Sequence, residues 1–167
     1  MSPLHELPTF VHDDIFHVVV ESPRGSSVKL KYSPELGAMT ISRPLVAGLA
    51  YPCEWGFIPS TKGPDDDPLD AALWWDVTTY PGVVLPCRAL AVLQVEQKRL
   101  ETGARIRNDR IIAAPTASRR ELALTPRVRQ ELEHFFLAAT ALEGKDARII
   151  EWADAASALR LIRSSTL

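Results

Sequence analysis

The chain predicts an α+β fold in which strands come first and helices last, with a small closed barrel as one arrangement of the strands. Two observations carry this. Short strand-like stretches separated by turn residues fill the first two thirds of the 167 residues. The apolar spacing then changes to a helical period in the last third. With 46% hydrophobic and 24% charged residues, the composition is that of a globular chain with a sizeable core, and we read residues 1–167 as a single domain.

Taken in order, the strands are Phe16–Glu21 (FHVVVE), Val28–Tyr32 (VKLKY), Ala38–Ser42 (AMTIS), Ala71–Asp76 (AALWWD), Val83–Val95 and Ala104–Ala113. The pieces SPRGSS, SPELG and YPG punctuate them. Pro86 inside the fifth marks a sheet edge, a bulge or a strand start. KRLETGARI reads as a hairpin turn with Gly103 at its permissive position. Trp74 and Trp75, adjacent on a strand, face opposite sides, one toward the core and the other a candidate interface residue. From Pro126 onward, Val128, Leu132, Phe135, Phe136 and Ala139 share one helical stripe, with Thr125 as N-cap and Gly144 as stop. ARIIEW is a short strand, after which Asp154 caps a last helix carrying Ala158, Leu159 and Ile162.

Charge and composition exclude several functions. A net charge of −2 offers no field for nucleic acid or an anionic membrane. No apolar run reaches membrane-span length. The opening MSPLHELPTFVHDD lacks the basic start and apolar core of a secretory signal. Cys53 and Cys87 are too few for a zinc site and read as reduced thiols, so the expected location is the cytoplasm. The histidines His5, His12, His17 and His134 show no ligand spacing with the acidic residues below.

Chemistry concentrates in GPDDDPLD, Gly63 to Asp70. Two carboxylates about 4 Å apart repel by roughly 4 kcal/mol at an effective dielectric of about 20. Held together, they need a cation or a proton. Asp65, Asp67 and Asp70 stand at i, i+2 and i+5, and Pro68 disfavours helix at Asp67. All-oxygen ligation suits Mg²⁺, Mn²⁺ or Ca²⁺. An EF-hand fits badly, because Asp70 stands where that loop needs Gly and Pro68 interrupts it. Glu21, Lys29, Arg43 and Arg110 on nearby strands add acidic groups for a metal and basic groups for an anion. A phosphate bridged by divalent ions would use both.

These pieces resemble the soluble family I inorganic pyrophosphatases. The match lies in YPCEWGFIP at Tyr51–Pro59 and the D-x-D-P-x-D frame of Asp65–Asp70. FHVVVESP, VKLKY, GAMTISR, CRALAVL, DRIIAAP, EHFFLAATALEGK and EWADA extend it over most of the chain. The resemblance implies a five-stranded OB-like closed β-barrel with flanking helices, Mg²⁺ dependence (Mn²⁺ as substitute) and a homo-oligomer, a hexamer in bacteria. It implies hydrolysis of inorganic diphosphate to two orthophosphates, with Asp67 accepting the proton of a metal-activated water. Asp65 and Asp70 are then metal ligands and Asn108 a weakened one. Lys29, Arg43 and Arg110 contact phosphate, while Glu21, Lys31, Tyr51 and Trp55 complete the pocket.

The chain also departs from the family pattern. Lys31 stands where the family has a carboxylate, and Trp55 replaces a tyrosine. Asn108 replaces a metal-binding aspartate, and Arg110 replaces a lysine. A further family aspartate has Glu96, Gln97 and Glu101 near its place. Ala139 and Thr140 occupy the positions of a phosphate-holding Tyr-Lys pair. These changes leave two other functions open: a catalytically weak homologue that binds phosphate or diphosphate or serves in assembly, and a hydrolase of a different phosphoanhydride.

Overall fold

The computed structural model describes residues 2–167. A 3-10 turn at Leu4–Glu6 leads into β1 (Phe10–His12), β2 (Ile15–Ser22), β3 (Val28–Ser33) and β4 (Ala38–Pro44). Then follow β5 (Glu54–Phe57), β6 (Asp70–Leu73), β7 (Val84–Lys98), β8 (Arg105–Arg107) and β9 (Arg110–Pro115). Helix α1 (Pro126–Thr140), strand β10 (Arg148–Asp154) and helix α2 (Ala155–Ser165) complete the chain.

The pairings β2–β5–β6–β9–β7 return to β2 and close a ring of five strands. Its spine is β7, 15 residues long, which also carries β8 and β10. Pro86, near the start of β7, lies opposite His17 in the β2–β7 ladder. The pair β6–β9 is parallel, with Asp70 opposite Arg110. Strands β3 and β4 form a separate two-stranded sheet.

Alternation along the ring strands sorts side chains into two cores. Ala71, Leu73, Val92, Ile111 and Ala113 join Phe16, Val18 and Val20 in one cluster, sealed by Ala158 and Ile162 of α2. Their neighbours Ala72, Ala91, Leu93 and Ile112 face the other way and meet Leu132, Phe135 and Phe136 of α1. Each helix starts at a capped turn. Thr125 accepts from Val128 N–H at 3.3 Å, and Asp154 accepts from Ser157 N–H at 2.8 Å. Strand β5 passes so close to β2 that a Cβ at Gly56 would collide with the Val19 carbonyl.

Several boundaries differ from the sequence-based expectation. EWGF is a buried strand that apolar alternation did not signal, and β1 is likewise new. The expected strand Ala71–Asp76 shifts to Asp70–Leu73, and both tryptophans follow it rather than lie on it. Trp75 packs in the first core and donates to the buried Glu54 carboxylate at 3.1 Å, while Trp74 packs against the second. The span Ala104–Ala113 divides at Asn108–Asp109, because the Asp109 carboxylate takes the Val95 N–H at 3.0 Å and interrupts the ladder. Helix α1 ends at Thr140, where tighter bonds to Ala138 O and Thr140 O lead into a turn reaching Gly144.

Candidate active site

A cavity of about 260 Å³ opens between the acidic loop, the β3–β4 hairpin and the C-terminal end of α1. All eleven site residues expected from the sequence line it: Glu21, Lys29, Lys31, Arg43, Tyr51, Trp55, Asp65, Asp67, Asp70, Asn108 and Arg110. They come from strands β2, β3, β4, β5, β6 and β9 and from the connections at Tyr51, Asp65–Asp67 and Asn108, so the ring and the hairpin together, rather than any local segment, assemble them.

The loop is fixed by its backbone. Gly63 N–H donates to Asp67 O at 2.8 Å and Asp66 N–H to Gly63 O at 3.1 Å. Leu69 is buried, and its N–H donates to Thr61 Oγ1 at 3.0 Å. Asp66 takes a positive φ of 70° and faces away from the cavity, where Lys62 Nζ and Arg99 Nη1 each reach it at 3.1 Å. These cations hold its carboxyl below the usual range. Asp65 and Asp67 are thereby turned the other way, into the cavity. Burial pushes the Asp65 carboxyl up, and the charges of Asp70 and Asp67 push it further, as expected of carboxylates gathered at one place.

On the strands, Lys29 lies directly opposite Arg43 across the β3–β4 ladder. Like charges so placed repel, and an anion between them relieves the repulsion. Burial lowers the Lys29 pKa. Burial also acts to lower that of Lys31, but the bond to Asp67 together with the charges of Asp67, Glu21 and Asp70 outweighs it, and the net shift is upward. Lys31 Nζ stands 2.9 Å from Asp67 Oδ2. Arg43 Nη2 donates to Ala139 O at 2.7 Å and its Nε pairs with Glu143, tying the hairpin to the end of α1.

Arg110 is 6% exposed and lies 5.3 Å over the Trp55 ring. Its Nη1 donates to Asp70 Oδ2 and Asn108 O, each at 2.7 Å, and to Asn108 Oδ1. Its Nε has no partner among the described residues. Glu21 accepts from Tyr32 N–H at 2.7 Å, and burial pushes its carboxyl up to about 7 despite that bond. Burial likewise raises Tyr51 to about 12.

The sequence left Glu96, Gln97 and Glu101 as candidates for one position, and the geometry selects Gln97. It lines the cavity, is 4% exposed, and its Oε1 has no partner among the described residues. Glu96 alternates to the other face of β7 and pairs with Arg105. Ala139 and Thr140 also line the cavity, as expected. Lys145 was not foreseen; it follows Gly144 beyond α1 and lies 3.6 Å from Glu143. A cation just past a helix stop was the available signal. His5 also lines the cavity, and the sequence held no sign of this.

A model of the inorganic pyrophosphatase family matches residues 18–167. The chain is 35% identical over 160 residues to an inorganic pyrophosphatase of Thermus thermophilus, covering 90% of this chain and 88% of that one. It is 33% identical over 157 residues to one of Rickettsia prowazekii, covering 88% of each. The crystal structure of the Thermus thermophilus inorganic pyrophosphatase superposes with a TM-score of 0.87 at 33% identity, covering 98% of this chain and 97% of that one. A Coxiella burnetii inorganic pyrophosphatase superposes with a TM-score of 0.82 at 31% identity, covering 95% and 97%.

Proposed function

The chain belongs to the inorganic pyrophosphatase family, and on that premise we propose that it hydrolyses inorganic diphosphate to two orthophosphates in this cavity. The observation that supports this most is the convergence of Asp65, Asp67 and Asp70 with Lys29, Arg43 and Arg110 around one space. Carboxylates for a cation and a base thus stand beside cations for phosphoryl oxygens.

The family is metal-dependent in general. The residues here fit one hard divalent ion. Asp65 and Asp70 supply carboxylates that raise each other's need for a cation, and Asn108 supplies a neutral oxygen. Mg²⁺ suits this set, and Mn²⁺ would substitute. Further ions fit poorly, because Lys31 already engages Asp67 and Gln97 is uncharged. A bound Mg²⁺ would lower the pKa of a water and neutralise charge on the diphosphate.

Asp67 accepts the proton of the attacking water at Oδ1, since Lys31 holds Oδ2. The water oxygen bonds to one phosphorus as the bridging P–O bond breaks, and the second phosphate leaves on the bridging oxygen. Lys29, Arg43 and Arg110 stabilise the charge on the equatorial and leaving oxygens. Glu21, Lys31, Tyr51 and Trp55 shape the walls. Ala139 and Thr140 offer no cation, so the rate is expected to be low for the family: each absent contact of this type costs about 2–4 kcal/mol of transition-state stabilisation.

Phosphate release from diphosphate with Mg²⁺ or Mn²⁺ tests this reading. Release no faster than that of Asp67→Asn would overturn it in favour of a binding protein, and release from another phosphoanhydride alone would move the substrate. The buried free thiols Cys53 and Cys87 suit the reducing cytoplasm. Assembly into a homo-oligomer, a hexamer on the family pattern, is checked by light scattering.

A further inference from the structure

We propose that the cavity binds inorganic diphosphate without a divalent ion, because protein cations already counter two of its four carboxylates and leave further cationic groups free for the anion. This rests on the reading of the cavity as the diphosphate site and adds how its charge is balanced.

Half of the acidic side is countered in advance. Lys31 Nζ is 2.9 Å from Asp67 Oδ2, and Arg110 Nη1 is 2.7 Å from Asp70 Oδ2. Glu21 uses one oxygen on the Tyr32 N–H. Asp65 and Glu21 have no cation at ion-pair distance among the described residues, so two of these four carboxylates remain uncountered. Gln97 adds a buried amide without charge.

The basic side, by contrast, has unused capacity. Five cationic side chains line the cavity: Lys29, Lys31, Arg43, Arg110 and Lys145. Glu143 pairs with both Arg43 and Lys145, from behind the lining. Lys29 makes no ion pair among the described residues although it is partly buried. Arg110 is almost fully buried, yet its Nε has no partner. A buried donor left unpaired is costly, and an anion in the cavity would satisfy it. Lys29 and Arg43, opposed across the ladder, would both gain from the same anion.

Lys31 is the pivotal group. As a cation it neutralises Asp67; a carboxylate at this position would restore an acidic excess that only a divalent ion could offset. Titration calorimetry with sodium diphosphate, in EDTA and then in Mg²⁺, reads this directly. The unsubstituted protein is expected to bind in EDTA, with Mg²⁺ changing the affinity by less than about tenfold. Lys31→Glu is expected to lose at least about tenfold in EDTA and to regain binding in Mg²⁺, since one charge is reversed close to the anion. Lys31→Met, neutral and of similar length, is expected to fall between them. Lys31 is half exposed, so each variant should keep its melting temperature, and that measurement separates lost binding from lost fold. Binding by the unsubstituted protein only in Mg²⁺ would overturn the inference and leave the proposed hydrolysis standing. Binding in EDTA without phosphate release under any metal would uphold it and overturn the hydrolysis. No binding in either buffer would overturn both.

Discussion

The acidic loop and the β3–β4 hairpin meet across the cavity at the Lys31–Asp67 ion pair, and they hold their charges by different means. The loop is pinned through its own backbone, by the Gly63–Asp67 bond, by buried Leu69 and by two prolines. The hairpin is a sheet apart from the ring. Side chains join it to the barrel: Ser22 Oγ accepts from Leu30 N–H at 2.9 Å, Glu21 accepts from Tyr32 N–H at 2.7 Å, and Arg43 bonds to Ala139 O. A backbone-pinned wall ties residue type to spacing, so the D-x-D-P-x-D frame is complete there. A wall held by side chains tolerates other residues. Of the departures from the pattern the sequence resembles, Lys31 lies on the hairpin, and Ala139 and Thr140 on the helix end that Arg43 ties to it. Trp55, Asn108 and Arg110 lie on or beside the ring, whereas the acidic loop has none.

The largest test of this contrast is Asp67→Asn. It removes the proposed proton acceptor from the rigid wall without changing its shape, so kcat should fall about a hundredfold to ten-thousandfold with the melting temperature little changed. An equal loss from a conservative change on the hairpin, such as Arg43→Lys, would erase the distinction between the walls.

Glu21 tests the joint between hairpin and ring. Burial, assisted by Asp70 and opposed by the Tyr32 N–H and by Lys29 and Lys31, pushes its carboxyl from the ordinary 4.5 up to about 7 in the folded chain. Below pH 4.5 both states carry the proton. Between 4.5 and 7 the folded state binds more of it, so stability falls as pH rises through that window, by about 3 kcal/mol in all, and levels off above it. Urea unfolding in EDTA from pH 4 to 8 should show this fall, and Glu21→Gln should flatten it. An unchanged slope in the variant would assign the pH dependence elsewhere.

Much of the site was legible because spacing and residue type coincide in one short segment. The triad, Lys29, Arg43 and Arg110 lie where strand alternation and the family resemblance put them. The choice of Gln97 over Glu96 was not legible, because a long hairpin sets the register, and Arg105 claims Glu96 from the other face. Lys145 depends on where α1 stops, and that is decided by a tight turn rather than by Gly144 alone. Strand β5 escaped notice because it is buried along its whole length and so has no apolar–polar alternation. The closed ring itself follows from β7 pairing with both β2 and β9, contacts too distant in sequence for local patterns to report.

Thr140→Lys gives a smaller, opposite effect. Thr140 lines the cavity at the end of α1, where a cation also suits the helix dipole. Supplying one should raise kcat/KM for diphosphate, by about tenfold if it reaches the phosphoryl oxygens. The gain would show that the hairpin-and-helix wall limits the rate. No gain, with folding intact, would mean that Lys145 already fills that role.

The smallest effect is expected at Asp66, the one acidic residue of the run Asp65–Asp67 that faces away from the cavity. Its ion pairs with Lys62 and Arg99 are exposed, and such pairs contribute little to stability and weaken with salt. Arg99 also donates to Pro64 O at 2.7 Å, so the loop keeps one anchor when Asp66 is lost. Asp66→Ala should therefore leave the melting temperature unchanged and raise KM only slightly, the more so at low salt, with kcat held. If kcat instead fell as far as in Asp67→Asn, the position of Asp67 would depend on surface charges and not on the backbone bond from Gly63. The acidic wall would then be held by side chains, as the hairpin is, and the difference between the two walls would disappear.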